Sequence, residues 1–348
     1  LPIPYDGFSL YYHDIPKQMA IAGAWPIFSL VRALRPDVIM ERYYNFGGAG
    51  IWAAHRFGIP SMLEVNALIV DPPVILKRRL DDALGGPMRR WATTQCQWAT
   101  TIVTPLHTTI PHEISRQKIV ELPWGANVDR VTPLPQDTGI YGDDDLPSPP
   151  PSPPYLATLD APIVVFLGSF RAWHGVHGFV QAAGRLLEQG VNAHFVLIGD
   201  GPERASAERY AATWPRHIHL LGAMAHERVA QELPYAHIGV APFTTTPHPA
   251  LRAAGFFWSP LKVYEYMAAG LPVVTTNIHP LNTIIREGQE GMLFAEDQID
   301  DLARAIGQLV AEPETAMAMG RRGRERVVAH YSWQRHCTEL EQHLLHAL

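Results

Sequence analysis

A lysine placed in the first turn of a helix is an anion-seeking arrangement, and the segment Ser259-Pro-Leu-Lys-Val-Tyr-Glu265 reads that way. Serine before proline marks a helix start, with Ser259 as the cap and Pro260 at the first helical position, where a missing N–H costs nothing. Lys262 then sits beside the positive end of the helix dipole, an unfavourable place for a compact ammonium unless a negative group lies there too. Glu265 follows three residues later on nearly the same face, where a carboxylate can accept hydrogen bonds from vicinal ribose hydroxyls. The other reading of the same residues is an exposed Lys–Glu pair on a surface helix. A second anion-seeking segment is Ile163–Gly175, IVVFLGSFRAWHG, a strand running into a glycine turn and a helix. Gly168 would let a ligand approach the backbone, and Arg171 would add a charge-assisted hydrogen bond to phosphate; an ordinary strand-to-helix turn is the alternative. His174 and His177, three apart, lack the third ligand that a metal site needs.

These segments need elements to hold them. After about residue 160, short β-branched runs alternate with helix-period stretches, the mark of βαβ units around a parallel sheet. Strands are expected at 163–167, 194–198, 218–221, 238–241 and 272–275. Phe179, Ala182, Ala183, Leu186 and Leu187 recur at helical spacing, as do Leu302, Ile306, Leu309 and Val310, and a last helix is expected from Trp333 to about Leu345. Before residue 130 the pattern is similar and weaker: strands at 38–40, 61–65, 101–104 and 118–122, a helix at 50–57, and a mostly helical stretch at 80–99. The opening LPIPYDGFSLYYHDIP offers neither the apolar strand nor the glycine-rich turn with which such a domain begins, so the opening strand is expected to be missing. LPSPPPSPP at 146–154, behind the acidic run Asp143-Asp144-Asp145, can neither pair in a sheet nor continue a helix, and reads as an exposed linker or a surface insertion.

The bulk numbers bound the rest. A chain of 348 residues fits two domains, and 47% hydrophobic against 18% charged residues supports folded cores. A formal charge of −6 argues against broad nucleic-acid binding. Two distant cysteines, Cys96 and Cys337, form neither a disulfide framework nor a thiolate metal site, which fits a reducing compartment. No run approaches a membrane span. A cytosolic protein is expected, with peripheral contact at the inner face of the membrane as an extension. The basic clusters Lys77-Arg78-Arg79 and Arg89-Arg90-Trp91 carry that extension, against the plainer reading of a solvated face. Of 28 basic residues only Lys17, Lys77, Lys118 and Lys262 are lysines.

The ordered motifs GSFRAWHG, LIGDGPE, LLGAMAHERV, IGVAPF, SPLKVYEYMAAGLPVV and REGQEGMLF resemble the family 4 glycosyltransferases, and the SPLK helix start resembles one subgroup of them. The likeness runs from about Ile163 to Ser332 and extends more faintly through PDVIMERYYNF, GIPSMLEVNA and KIVELPWGANVDRVTP. It implies an α/β fold of GT-B type, two Rossmann-like domains facing across a cleft. The expected organisation is an acceptor-side domain over 1–130, a linker over 131–160, a nucleotide-sugar domain over 161–332, and a final helix over 333–348 packing back toward the first domain.

The activity that the resemblance implies is retaining transfer of a sugar from a UDP- or GDP-sugar to a glycan, a lipid-linked or a small-molecule acceptor. Beyond that donor no cofactor is expected, and no metal and no nucleic acid. Glu265 matches the family's ribose-binding glutamate, while the partner glutamate eight positions earlier falls on Phe257, and the family's loop arginine and lysine fall on Ser169 and His174. Lys262 and Arg171 then stabilise the leaving diphosphate, and Asn66, after the strand that ends at Glu64-Val65, contacts the transferred sugar. Donor contacts are expected from Gly168, Ser169, His174, Ser259, Pro260, Leu261 and Glu265, and base contacts near Gly222 and Met224. Gly47-Gly48, ahead of a helix, is either a ligand-facing turn or a plain one. Two competing functions are a Rossmann oxidoreductase, which lacks its glycine fingerprint here, and a non-catalytic sugar-nucleotide-binding protein, which Phe257 favours.

Overall fold

The computed structural model describes residues 24–134 and 154–347. The expectations for the opening segment and for most of the proline-rich stretch therefore lie outside the described residues. The chain divides into two compact units. The first runs to Leu122 and takes up the chain again from Leu340, and the second is Pro123–Glu339.

In the first unit α1 (Ala24–Leu34), β1 (Ile39–Arg42), α2 (Ala49–Phe57) and β2 (Ser61–Glu64) are followed by α3 (Leu76–Ala83), α4 (Pro87–Trp98), β3 (Thr101–Thr104) and β4 (Ile119–Glu121). The stretch read as mostly one helix is two, because Gly85 and Gly86 adopt positive φ and Pro87 starts the second. The four strands pair in parallel in the order β1-β2-β3-β4. Ile51, Leu63, Val65, Cys96 and Ile102 form part of the core against one face. Met62, Val103 and Leu122 are buried together with Leu340 and Leu344 packed on them.

In the second unit β5 (Ile163–Leu167), α5 (Val176–Glu188), β6 (His194–Ile198), α6 (Arg204–Ala211), β7 (Ile218–Gly222), α7 (His226–Glu232) and β8 (Ile238–Ala241) precede α8 (Pro249–Ala254), α9 (Leu261–Ala268), β9 (Val273–Thr276), α10 (Leu281–Ile284), β10 (Gly291–Phe294), α11 (Ile299–Ala311), α12 (Pro313–His330) and α13 (Trp333–Ala347), whose last residues pass into the first unit. Strand β10, in the REGQEGMLF motif, is an addition to the strands expected. The sheet is wholly parallel, ordered β10-β9-β8-β5-β6-β7. All five residues of β5 and of β6 are buried, as continuous apolar runs require when helices cover both faces.

The strand order places the site. From β5 the chain winds outward through β6 and β7, then returns to the other side of β5 with β8. This reversal is a topological switch point, and the crevice for a ligand opens there, at the carboxyl ends of β5 and β8.

Candidate functional site

The carboxyl end of β5 is Leu167-Gly168, and that of β8 leads into Pro242-Phe243. Helix α9 is tied to both strands by one side chain. The buried Tyr266 hydroxyl accepts the N–H of Leu167 at 2.6 Å and lies 3.2 Å from the carbonyl of Val240, to which it donates. One turn earlier on the same helix, Lys262 is thereby carried over the switch point. Its ammonium lies 4.2 Å from the ring centre of Phe166 and 4.9 Å from that of Phe243.

Lys262 is 6% exposed, and among the described residues its Nζ has no hydrogen-bond partner. Burial pushes its pKa down to about 7, with the Glu265 carboxylate pulling the other way. Contact with two ring faces offsets part of the desolvation of an ammonium but supplies no acceptor for its three N–H groups. The Glu265 carboxyl, in turn, is raised to about 7 by burial, against the pull of Lys262, and its Oε1 stands 3.6 Å from Nδ1 of His226. The surface Lys–Glu pair is thus overturned as a reading of this segment: both groups are withdrawn from water.

Gly168 faces the ammonium. Its φ is +128°, and a Cβ there would approach Cε and Nζ of Lys262 at 3.0 Å. Ser169 and His174 complete this side, with Ser169 Oγ 3.3 Å from His174 Nδ1. The His174 pKa falls to about 3, first through burial, then through the charges of Lys262 and Arg171, with a hydrogen bond from the ring to the Ser169 backbone opposing. At neutral pH the imidazole is uncharged. The loop then closes against β8 at Gly175, where a Cβ would lie 1.7 Å from the Pro242 carbonyl oxygen. Arg171 is exposed and its guanidinium lies over the Trp173 ring, 5.2 Å from its centre. Its charge reaches His174.

The helix start departs from the sequence reading. Helix α9 begins at Leu261, and the preceding position is Pro260, with φ −82° and ψ 69°. Ser259 is not the cap. Its Oγ accepts the N–H of Trp124 at 2.9 Å, pinning the segment that enters the second unit. The N–H of Leu261 donates to the Ser259 carbonyl and that of Val263 to the Pro260 carbonyl. Two amides expected to meet an anion are therefore already used, and the ammonium is the anion-seeking group of this turn. The tertiary contact with Trp124 outcompetes the local cap.

Gly222 ends β7 with φ +78°, its carbonyl accepting the Gly199 N–H at 2.8 Å, and half-buried Met224 follows in the loop before α7. Phe257 is 2% exposed and packs edge-on against Trp258. His177 pairs with Glu203 rather than with His174, and among the described residues no group of three or more His, Cys, Asp or Glu side chains is arranged to hold a metal ion. Asn66 belongs to the first unit, at the carboxyl end of β2, where it donates to Glu64 at 2.7 Å.

A group missed in the sequence is Glu41. Its carboxylate accepts the N–H of Gly48 at 2.8 Å and of Ile51 at 2.7 Å, filling the start of α2. Burial raises its pKa, and the amides of Ile51, Gly48 and Gly50 counter that. The Gly47-Gly48 turn therefore faces the chain's own carboxylate. The signal was present as an acidic residue at a strand end, seven positions ahead of Gly48.

Residues 161–312 match the family model described as glycosyl transferases group 1. The chain is 23% identical to alpha-D-kanosaminyltransferase of Streptomyces kanamyceticus, over 95% of this chain and 83% of that protein. It is 24% identical to 2-deoxystreptamine glucosyltransferase of the same organism, over 80% and 68%. Among solved structures, sucrose-phosphate synthase of Thermosynechococcus elongatus superimposes with a TM-score of 0.64 at 19% identity, covering 94% of this chain and 79% of that one. Anabaena HepE, solved with UDP and glucose, gives 0.66 at 14% identity, covering 94% and 83%. The two parallel α/β sheets are those of the GT-B type, and the chain is an enzyme of the glycosyltransferase class.

Proposed function

We propose that this glycosyltransferase moves a hexosyl group from a UDP- or GDP-sugar to a hydroxyl of a glycan, a lipid-linked or a small-molecule acceptor, with retention of anomeric configuration and without a bound metal. One observation carries the reading: a buried ammonium with no acceptor, Lys262 Nζ, set against the Gly168 turn at the switch point of a parallel sheet. An ion so placed is costly until an anion meets it, and a diphosphate supplies both the charge and the acceptor oxygens. The HepE complexes with UDP and UDP-glucose support the nucleotide class.

In this reading the bond from the anomeric carbon to the β-phosphate oxygen breaks and the acceptor oxygen bonds to the same carbon on the same face. The acceptor's proton passes to the departing phosphate oxygen. Charge grows on the diphosphate as it leaves, so Lys262 and Arg171 bind the transition state more tightly than the ground state. Neutral His174 with Ser169 and Gly168 lines the sugar-diphosphate side, Ser259, Pro260 and Leu261 shape the turn, Glu265 takes the ribose hydroxyls, and Gly222 and Met224 border the base. Cytosolic residence belongs to the same reading.

Calorimetric titration tests it. Lys262→Ala is expected to weaken UDP or GDP about 100-fold while leaving uridine or guanosine within about threefold. Equal losses for nucleotide and nucleoside would remove the diphosphate from this position.

A further inference from the structure

Helix α3 in the first unit has an apolar side that nothing among the described residues covers. Leu76, Leu80 and Leu84 recur every fourth residue and so form one stripe, and they are 68%, 57% and 77% exposed, with Val74 just ahead at 64%. Lys77 and Arg79 flank that stripe, about 60° and about 100° around the helix from its centre on either side, and Lys77 is ion-paired with Asp71 at 2.7 Å. Other side chains hold the helix down: Asp81 is buried with its oxygens on the N–H groups of Met88 and Arg89, and on the far side Arg78 pairs with Asp82.

Charge selects the occupant. In a chain of net charge −6, residues 71–90 carry five basic side chains against three acids, and buried Asp81 is one of the three. Arg79 is exposed and makes no ion pair among the described residues, and Arg90 is exposed nearby in sequence. A short helix with leucines on one side, long cations at both borders of that side and low overall hydrophobicity is built to lie in an interface plane. The cations can reach past the leucines to headgroups. Trp91, by contrast, is half-buried, its indole N–H donating to the Gly47 carbonyl at 2.7 Å, so the leucines and not the tryptophan form the apolar part.

We propose that helix α3 with Val74 and Leu84 is a docking surface for an anionic lipid membrane, seated by Leu76, Leu80 and Leu84 and held by Arg79 and Arg90. The enzyme is then held peripherally, since no described helix is long and apolar enough to cross a bilayer.

The test is co-flotation of the full chain with vesicles of phosphatidylcholine alone and of phosphatidylcholine with about one third phosphatidylglycerol, at low and at physiological salt. The expected result is recovery with the anionic vesicles only, weakened by salt. Arg79→Glu should lower partitioning on the order of tenfold, and Leu80→Ser with Leu84→Ser by a similar factor or more. All these side chains are exposed, and unchanged far-UV dichroism and melting confirm that the variants fold. Absence of wild-type protein from the anionic fraction, equal recovery on both vesicle types, or undiminished binding of the variants would each overturn the proposal. So would a dimer in sedimentation velocity that Leu80→Ser dissolves, which would assign the stripe to a second copy of the chain.

Discussion

Two helix starts at the carboxyl ends of parallel strands are treated in opposite ways in this molecule. In the first unit the start of α2 is filled by Glu41, whose two oxygens take the amides of Gly48 and Ile51. In the second unit the first turn of α9 carries an ammonium with no acceptor. The first arrangement is electrically complete and contributes to the fold. The second costs stability in the isolated protein, a cost that a bound anion would offset.

The largest test of this contrast is Lys262→Met. It should lower kcat/KM for sugar transfer about 100-fold or more, since it removes a charge from the leaving diphosphate. It should also raise the melting temperature of the ligand-free protein, by about 2–4 °C for each kcal/mol recovered. The sign follows from the pKa. The amine titrates near 7 in the fold against 10.5 ordinarily, so the unfolded chain holds the proton more tightly, and keeping it inside costs most below pH 7. A melting temperature that falls would identify Lys262 as structural. Glu41→Ala should do the reverse, leaving two inward N–H groups without acceptors. A loss of about 2–3 kcal/mol is expected, read as faster hydrogen exchange at the Ile51 amide, with UDP affinity little changed.

A smaller effect sharpens the comparison through pH. UDP affinity should decline by about tenfold per unit as pH rises above 7, because the amine proposed to meet the diphosphate loses its proton there. Lys262→Arg should flatten this slope, the guanidinium staying charged. Glu265 ionises over the same interval, and the uridine profile isolates its part.

The two units were also unequally legible. Strands β5, β6 and β8 announced themselves as apolar runs buried on both faces, and the structure returns their bounds. The Gly85-Gly86-Pro87 break between α3 and α4 was in the letters but was passed over for the helical period around it. Strand β10, four residues long and flanked by acids, gave too short a pattern to detect. At the site, the anion-seeking character of Lys262 could be read from its place behind Ser259-Pro260. Its burial could not, because the rings against it, Phe166 of β5 and Phe243 just beyond β8, come from outside its own helix. Ser259 was misread for the same reason: its partner, Trp124, lies 135 residues away. Glu41 was missed since a capping carboxylate supplied by a strand breaks no local rule.

The Tyr266 hydroxyl bridging Leu167 and Val240 sets a mechanical tolerance for the enzyme. A phenylalanine would fill the same volume, yet the span between the two strand ends would lose its only strut from this side chain. The amine one turn away would then sit at a less definite height above the glycine loop, so the accuracy with which that charge is placed hangs on a single buried oxygen atom.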